Sequence, residues 1–306
     1  MLLVVLVTVV AVAAGVAAER RRGAAARALS RRLLDVMLYG LLPFASFFLI
    51  ADLDFTAGVR AGIAVAYAEL AIVGVAAYVI ASRVLRLPRP VVGAVITTVV
   101  MANTGYLGLP LSVALLGRDA LGEAIAWDTL VSGPVFLLVG FGIGAAFGDD
   151  AGSGKRERLT AFLARNPPLL ATLAGLLAPD ALAPAALVNV AGLIVICLLP
   201  VGFFVLGVNL AAESEEGALR FPPPFTRPLA VVIGLRLVAA PVLVLAASRF
   251  VVELPDPHLL QAAMPSGVNA LVVAHAYGLD LRLTSAAIAW TTTVVIATAA
   301  AGAALA

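Results

Sequence analysis

A polar, glycine-rich stretch, Met101–Leu111 (MANTGYLGLPL), interrupts an apolar run that extends from Val91 to Leu116. Pro110 has no amide hydrogen, and the glycines permit a change of direction, so the stretch predicts a break in a helix. Broken backbone at membrane depth is tolerated where protein or a water-filled cavity receives its polar groups. A second interruption of this kind, Met264–Asn269 (MPSGVN), lies in the other half of the chain. In secondary transporters, such paired interruptions mark the binding site.

Composition places these breaks in a membrane protein. Of the 306 residues, 62% are hydrophobic and 12% are charged, against roughly 45–50% and 25% in a soluble domain. We therefore predict an all-α polytopic membrane protein with ten transmembrane helices of about 20 residues each. The predicted spans are Met1–Ala18, Leu33–Ala51, Ala57–Ala81, Val91–Leu116, Ala120–Phe147, Pro168–Leu177, Pro184–Ala211, Pro228–Val251, Leu259–Tyr277 and Leu283–Leu305.

The basic residues predict the orientation of the chain. Arginine and lysine concentrate in the loops after odd-numbered spans, as at Arg20–Arg22 and Lys155–Arg158. Because basic loops stay in the cytoplasm, both termini are expected outside a cell (inner) membrane. The arginines form no continuous basic face, so we expect no nucleic-acid partner. Cys197 is the single cysteine, which excludes a disulfide within the chain.

Short internal similarities predict an inverted repeat. Leu41–Pro43 recurs as Leu198–Pro200, and Ala124–Val131 recurs as Ala287–Val294 with six identical positions. Five spans per half is an odd number, so the halves must insert with opposite orientation. We predict a first five-helix repeat (1–147), a cytoplasmic linker (148–165) and a second, inverted five-helix repeat (166–306), together forming one integrated membrane domain. The same offset makes the broken fourth and ninth helices symmetry mates.

The two broken segments also resemble a known family. NTGYLGLPL at Asn103–Leu111 and MPSGVNALVVAHAYGLD at Met264–Asp280 are similar to the paired signatures of the auxin efflux carrier family, which includes bacterial malonate-carrier-like permeases. The resemblance implies a 5+5 inverted repeat in which helices 4 and 9 cross. It also implies a scaffold of helices 1, 2, 6 and 7, often dimeric, and a transport domain of helices 3–5 and 8–10. The implied function is elevator-type secondary active transport of small organic anions, malonate-like or auxin-like carboxylates.

The resemblance implies eight substrate-binding residues by motif position. They are Asn103, Thr104, Gly105, Pro110, Pro265, Ser266, Gly267 and Asn269. The ends of broken helices expose unpaired amides and partial positive charge, which suit a carboxylate. Asn103 and Asn269 have an alternative interpretation as amides that join neighbouring helices. No cofactor is expected apart from a coupling ion, H⁺ or Na⁺.

Three ionisable residues are candidates for coupling. Glu69 lies midway along the third span and Asp128 two turns inside the fifth, where an ionisable group is by default a functional hypothesis. Each could instead belong to a hydrogen-bonded packing network. His275 is interpreted as an interfacial or packing residue, with a proton relay as the alternative. Arg236, two turns into the eighth span, is expected to extend towards the cytoplasm or to pair with a carbonyl.

Alternative functions separate by their sequence signals. The chain contains no phosphate-binding loop and no His-Glu-x-x-His or Gly-x-Ser-x-Gly motif, so enzyme activity is not expected. A sodium-coupled carrier of the bile acid:sodium symporter type would need acidic and amide ligands beside the crossing, where Glu69 and Asp128 are the nearby carboxylates. A membrane sensor that keeps a carrier fold is the third hypothesis, and no signalling domain is recognisable in the sequence.

Overall fold

The computed structural model describes residues 2–54, 56–148, 167–215 and 223–305, and the regular elements within these ranges are helices. Several α-helices are joined end to end by single π-helical turns, so that one predicted span contains more than one element. The α-helices are α1 (Leu2–Arg22), α2 (Ala24–Val36), α3 (Leu42–Ala51), α4 (Ala57–Val79), α5 (Arg89–Val100), α6 (Leu109–Leu116), α7 (Leu121–Trp127), α8 (Phe141–Phe147), α9 (Pro167–Leu176), α10 (Ala185–Glu215), α11 (Arg227–Gly234), α12 (Ala240–Phe250), α13 (Asp256–Ala262), α14 (Asn269–Tyr277) and α15 (Leu281–Leu305).

The helices have the length and surface of membrane spans. Four stretches in the described part of the chain are long and apolar enough to cross a membrane: Ala57–Val84, Ala185–Val205, Arg227–Phe250 and Leu281–Ala299. Their outward faces expose large apolar side chains, including Val75 and Leu245. The chain is therefore a multi-pass membrane protein. The predicted linker, 148–165, lies almost entirely outside the described residues, and the predicted division into two repeats stays a prediction.

Local sequence signals explain where several helices begin and end. The hydroxyl oxygen of Thr56 accepts a hydrogen bond from the Val59 amide (3.2 Å) and so caps the start of α4. Thr226 does the same for α11, through the Leu229 amide. At the other end of an element, α14 stops at Gly278, whose positive φ of 67° suits glycine. The membrane helices thus carry ordinary caps at their ends.

Small residues allow close packing between remote helices. A side chain at Gly15 of α1 would overlap the backbone of α10 at Phe204, and one at Gly207 of α10 would overlap α1 at Val12. Gly175 of α9 packs in the same way on the backbone of α3 at Phe47. In the predicted repeat, span one corresponds to span six and span two corresponds to span seven. The contact between spans one and seven is therefore the counterpart of the contact between spans six and two. An inverted repeat would require this pair of contacts.

Three hydrophobic cores pack the described helices. The largest joins α4, α5, α11, α12, α14 and α15 through fully buried residues such as Ala66, Val95 and Val232. The second joins α3, α7 and α10, for example through Ala45 and Ala191. A third joins α1, α6, α10 and α15 and includes Leu107 and Met264, so residues of both interruptions pack within it.

Candidate functional site

The two predicted breaks pair directly with each other. α5 ends at Val100, and Met101 adopts an extended conformation. Ala102 and Ser266 then form an antiparallel bridge: the Asn103 amide donates to the Pro265 carbonyl and the Gly267 amide donates to the Met101 carbonyl, both at 2.7 Å. Each break thus satisfies backbone groups of the other at a depth where water is scarce.

Ser266 joins this crossing to α5 and α15 through hydrogen bonds. Its hydroxyl donates to the Thr98 carbonyl in α5 (2.7 Å), and its amide donates to the hydroxyl of Thr291 in α15 (3.1 Å). The side chain is fully buried. Gly267 is required for the close approach, since a Cβ there would lie 2.8 Å from the Ala102 carbonyl oxygen. The close contact between the two breaks therefore explains why position 266 is serine and position 267 is glycine.

A cavity of about 250 Å³ opens beside the crossing. Six of the eight predicted substrate-binding residues line it: Asn103, Thr104, Gly105, Pro110, Gly267 and Asn269. Pro265 and Ser266 are not among its lining residues. They belong to the backbone contact between the two breaks. Sequence reasoning missed most of the other walls. These are Met37, Leu42, Met101, Ala102, Tyr106, Leu109, Thr129, Ser132, Gly133, Phe136, Val195, Leu198 and Val268.

The polar groups of the cavity all come from one side. Asn103, Thr104 and Tyr106 belong to the fourth span, Asn269 to the ninth, and the fifth span adds Asp128, Thr129 and Ser132. The opposite wall is apolar and is formed by Met37 and Leu42 of the second span with Val195 and Leu198 of the seventh. One signal could have identified Ser132, since it follows Asp128 by one helical turn. Leu42 and Leu198 of the apolar wall belong to the recurring Leu-Leu-Pro strings, whereas Met37 and Val195 have no local sequence signal.

Two helix N-termini reach this cavity. The second half of the fourth span begins at Thr104, and α14 begins at Asn269 without a side-chain cap. The first amides of a helix lack partners within it and carry partial positive charge. Among the lining residues that the structure describes there is no arginine, lysine or histidine. Positive potential in the cavity therefore comes from backbone, as expected from the sequence.

Asp128 lies over one of these N-termini. The Thr104 hydroxyl donates to its Oδ1 at 2.5 Å. A Cβ at Gly105 would lie 3.3 Å from both carboxylate oxygens, so the carboxylate rests against the first turn of the half-helix. Asp128 thus occupies the position that an anion prefers. The same residue faces the cavity, where a bound substrate would meet it.

Two asparagines line the cavity, one from each broken span. Asn103 is 3% exposed, and its side-chain nitrogen has no hydrogen-bond partner among the residues that the structure describes. Asn269 is exposed and also lines the cavity. A buried amide without a partner is costly unless a ligand or water uses it. Both side chains are therefore available to a molecule in the cavity.

The remaining ionisable candidates lie outside the cavity lining. His275 is exposed near the far end of α14. Glu69 is 2% exposed within α4 and interacts electrostatically with Arg236. Arg236 is fully buried and donates hydrogen bonds to the carbonyls of Val99 and Ala262. Arg236 was expected either to extend towards the cytoplasm or to pair with a carbonyl, and it pairs with two carbonyls.

Comparisons with known proteins agree with this architecture. A family model described as "Membrane transport protein" matches residues 163–301. An uncharacterized transporter of Methanocaldococcus jannaschii is 25% identical over 232 residues, which cover 72% of this chain and 70% of that protein. Together with the paired motifs at the crossing, these findings confirm the family resemblance. The chain is thus similar to membrane transport proteins, as its resemblance to the auxin efflux carrier family implied.

Proposed function

We propose that the protein is a secondary active transporter of small organic anions, without enzymatic activity. The observation that carries the proposal is one cavity lined by the N-termini of two half-helices, with Asn103 and Asn269 in its lining. Backbone amides and neutral side-chain amides bind a carboxylate without burying a counter-charge. The volume of about 250 Å³ lies below the roughly 300–1,000 Å³ of drug-sized sites, which favours small mono- or dicarboxylates.

The asymmetry of the cavity supports an elevator-type mechanism. All its polar groups belong to spans four, five and nine, whereas spans two and seven present methyl and thioether groups. A substrate held by one body would travel with it, because its hydrogen bonds need not break as the body moves. An apolar wall forms no hydrogen bonds that would have to break and re-form as the moving body slides along it. We therefore assign spans 3–5 and 8–10 to the moving body and spans 1, 2, 6 and 7 to a dimerising scaffold.

Asp128 supports proton coupling. A substrate carboxylate at the same helix N-terminus would lie close to the Asp128 carboxylate, and two like charges in a poorly solvated site repel strongly. Taking up a proton at Asp128 removes this repulsion, so anion and proton would move together. The groups that face Asp128 are the Thr104 hydroxyl and Tyr106, with the Tyr67 hydroxyl bound nearby to the Leu130 carbonyl. Glu69 and His275, away from the cavity, are less suited to this role.

The direct test is uptake into proteoliposomes. Purified protein is reconstituted and supplied with labelled mono- and dicarboxylates, while pH, sodium and potential gradients are imposed separately. We expect uptake of at least one small carboxylate, stimulated when the proton gradient and the substrate gradient point in the same direction. Liposomes without protein give the background. Absence of uptake for every anion under every gradient would contradict the proposal.

A further inference from the structure

Each break divides its span into two half-helices. The C-terminal ends of the half-helices that precede the breaks, α5 and α13, meet at one buried cation, Arg236. Arg236 lies in the π-helical turn Leu235–Ala239, between α11 and α12, and is 1% exposed. Its Nη1 donates to the Val99 carbonyl of α5 at 3.1 Å, and its Nη2 donates to the Ala262 carbonyl of α13. One guanidinium thus binds a helix from each half of the predicted repeat. Val99 lies 137 positions and Ala262 lies 26 positions from Arg236 in the sequence.

These carbonyls belong to the negative ends of two helices. Val99 lies in the last turn of α5 and Ala262 ends α13. Helix C-termini carry partial negative charge, and in transporters with broken helices such ends coordinate the coupling cation. The buried carboxylate of Glu69 also interacts electrostatically with Arg236, without a direct ion pair. Two main-chain carbonyls and a carboxylate are the oxygen ligands that a small hard cation takes.

The geometry points to Arg236 as the resident cation of the crossing, a side chain that fills the place where a coupling sodium ion would bind. On this inference, which rests on the proposed transport function, the carrier needs no sodium. The guanidinium supplies a permanent positive charge and two directed hydrogen bonds, so the half-helix ends stay joined in every state of the cycle. A proton at Asp128, on the cavity side of the crossing, is then free to serve as the coupling ion.

The Glu69 carboxylate explains why the charge can be buried here. Neither of its oxygens, nor Nε of Arg236, has a hydrogen-bond partner among the described residues, so the two groups interact at a distance and not through a direct ion pair. A guanidinium with no negative partner would be too costly at this depth. Removing Arg236 therefore leaves two carbonyls and a buried carboxylate without a cation, and that set should recruit one from solution.

The experiment measures thermal unfolding of the purified protein in NaCl, KCl or choline chloride at equal ionic strength. No substrate is present, so the result does not depend on whether organic anions are transported. We expect the same Tm for the wild-type protein in all three salts. Arg236→Ala should unfold about 10 °C lower in choline chloride and should regain much of that loss in NaCl. Arg249→Ala, an exposed arginine on α12, is the matched control and should show neither effect.

Further variants keep the inference testable if Arg236→Ala does not fold. Arg236→Lys retains the charge and should keep Tm nearer to the wild-type value than Arg236→Met. Adding Glu69→Gln to Arg236→Met removes the unpaired carboxylate and should raise Tm above that of Arg236→Met alone. A sodium-specific rise in the wild-type Tm, or an Arg236→Met protein as stable as the wild type in choline chloride, would overturn the inference.

Discussion

Thr104 and Asp128 are joined by a hydrogen bond of 2.5 Å, which ties the break of the fourth span to the fifth span at the edge of the cavity. The hydroxyl donates and the carboxylate accepts, so a negative charge is held at the start of a half-helix even when no substrate is bound. Arg236 holds the opposite, C-terminal ends of the other two half-helices. Three of the four half-helix ends thus have a side-chain partner of the sign that each one prefers, and the fourth, the N-terminus of α14, lies at the cavity.

Replacement of Asp128 by asparagine should separate anion movement from proton movement. The amide of the Asp128→Asn variant cannot carry a proton but keeps the size of the side chain, so the substrate site should remain intact. We expect stimulation of uptake by an inward proton gradient to fall by about tenfold or more, the change that corresponds to about 1.4 kcal/mol. Exchange of labelled for unlabelled substrate, which needs no net proton movement, should persist. Both are measured in proteoliposomes at several external pH values.

The matched control for this variant is Asp54→Asn. Asp54 is exposed in the loop after the second span and does not line the cavity. Its replacement should leave the proton response unchanged. A full proton response in Asp128→Asn would rule out Asp128 as the coupling residue and return Glu69 and His275 to consideration.

Asn103→Ala tests the direct role of the buried amide. A hydrogen bond to a charged group contributes about 1.5–3 kcal/mol, so loss of the amide should weaken binding of a carboxylate roughly 10- to 100-fold. Because the backbone of Asn103 makes the bond to Pro265, the crossing should survive the change. Binding is measured by titration calorimetry and folding by the elution profile of the purified protein in size-exclusion chromatography. Unchanged affinity would assign Asn103 to packing between helices.

Asn189→Ala provides the comparison. Asn189 is exposed near the start of α10 and makes no contribution to the cavity lining. The same loss of an amide there should leave affinity and uptake unaltered. A similar loss of function in both variants would show that the Asn103 effect reflects stability of the protein in detergent.

Much of the site could be predicted because its signals are local. Glycine, proline and asparagine within apolar runs mark a helix break wherever the chain folds, and six residues chosen this way line the cavity. The pairing of Ala102 with Ser266 joins these same two breaks. Local sequence therefore located the crossing and most of its polar wall.

The other features depend on packing between remote segments. Met37 and Val195 line the cavity because spans two and seven pack beside the crossing, and nothing in their own neighbourhood distinguishes them from lipid-facing residues. The sequence left open whether Arg236 extends to the cytoplasm or binds a carbonyl. Its contacts with Val99 and Ala262 decide the matter, and both depend on the tertiary arrangement of three helices.

Gly267→Ala tests how closely the two broken helices approach. The new methyl group would lie 2.8 Å from the Ala102 carbonyl oxygen, which is backbone and is held by the bridge to Ser266. Overpacking of this kind costs about 1–3 kcal/mol, so Tm of the purified protein should fall. At Gly234 of α11 an added Cβ meets nothing within 4 Å, and Gly234→Ala should stabilise the helix by about 0.5–1 kcal/mol. Opposite shifts of Tm are therefore expected from the same chemical change, and a Gly267→Ala protein as stable as Gly234→Ala would contradict the close crossing.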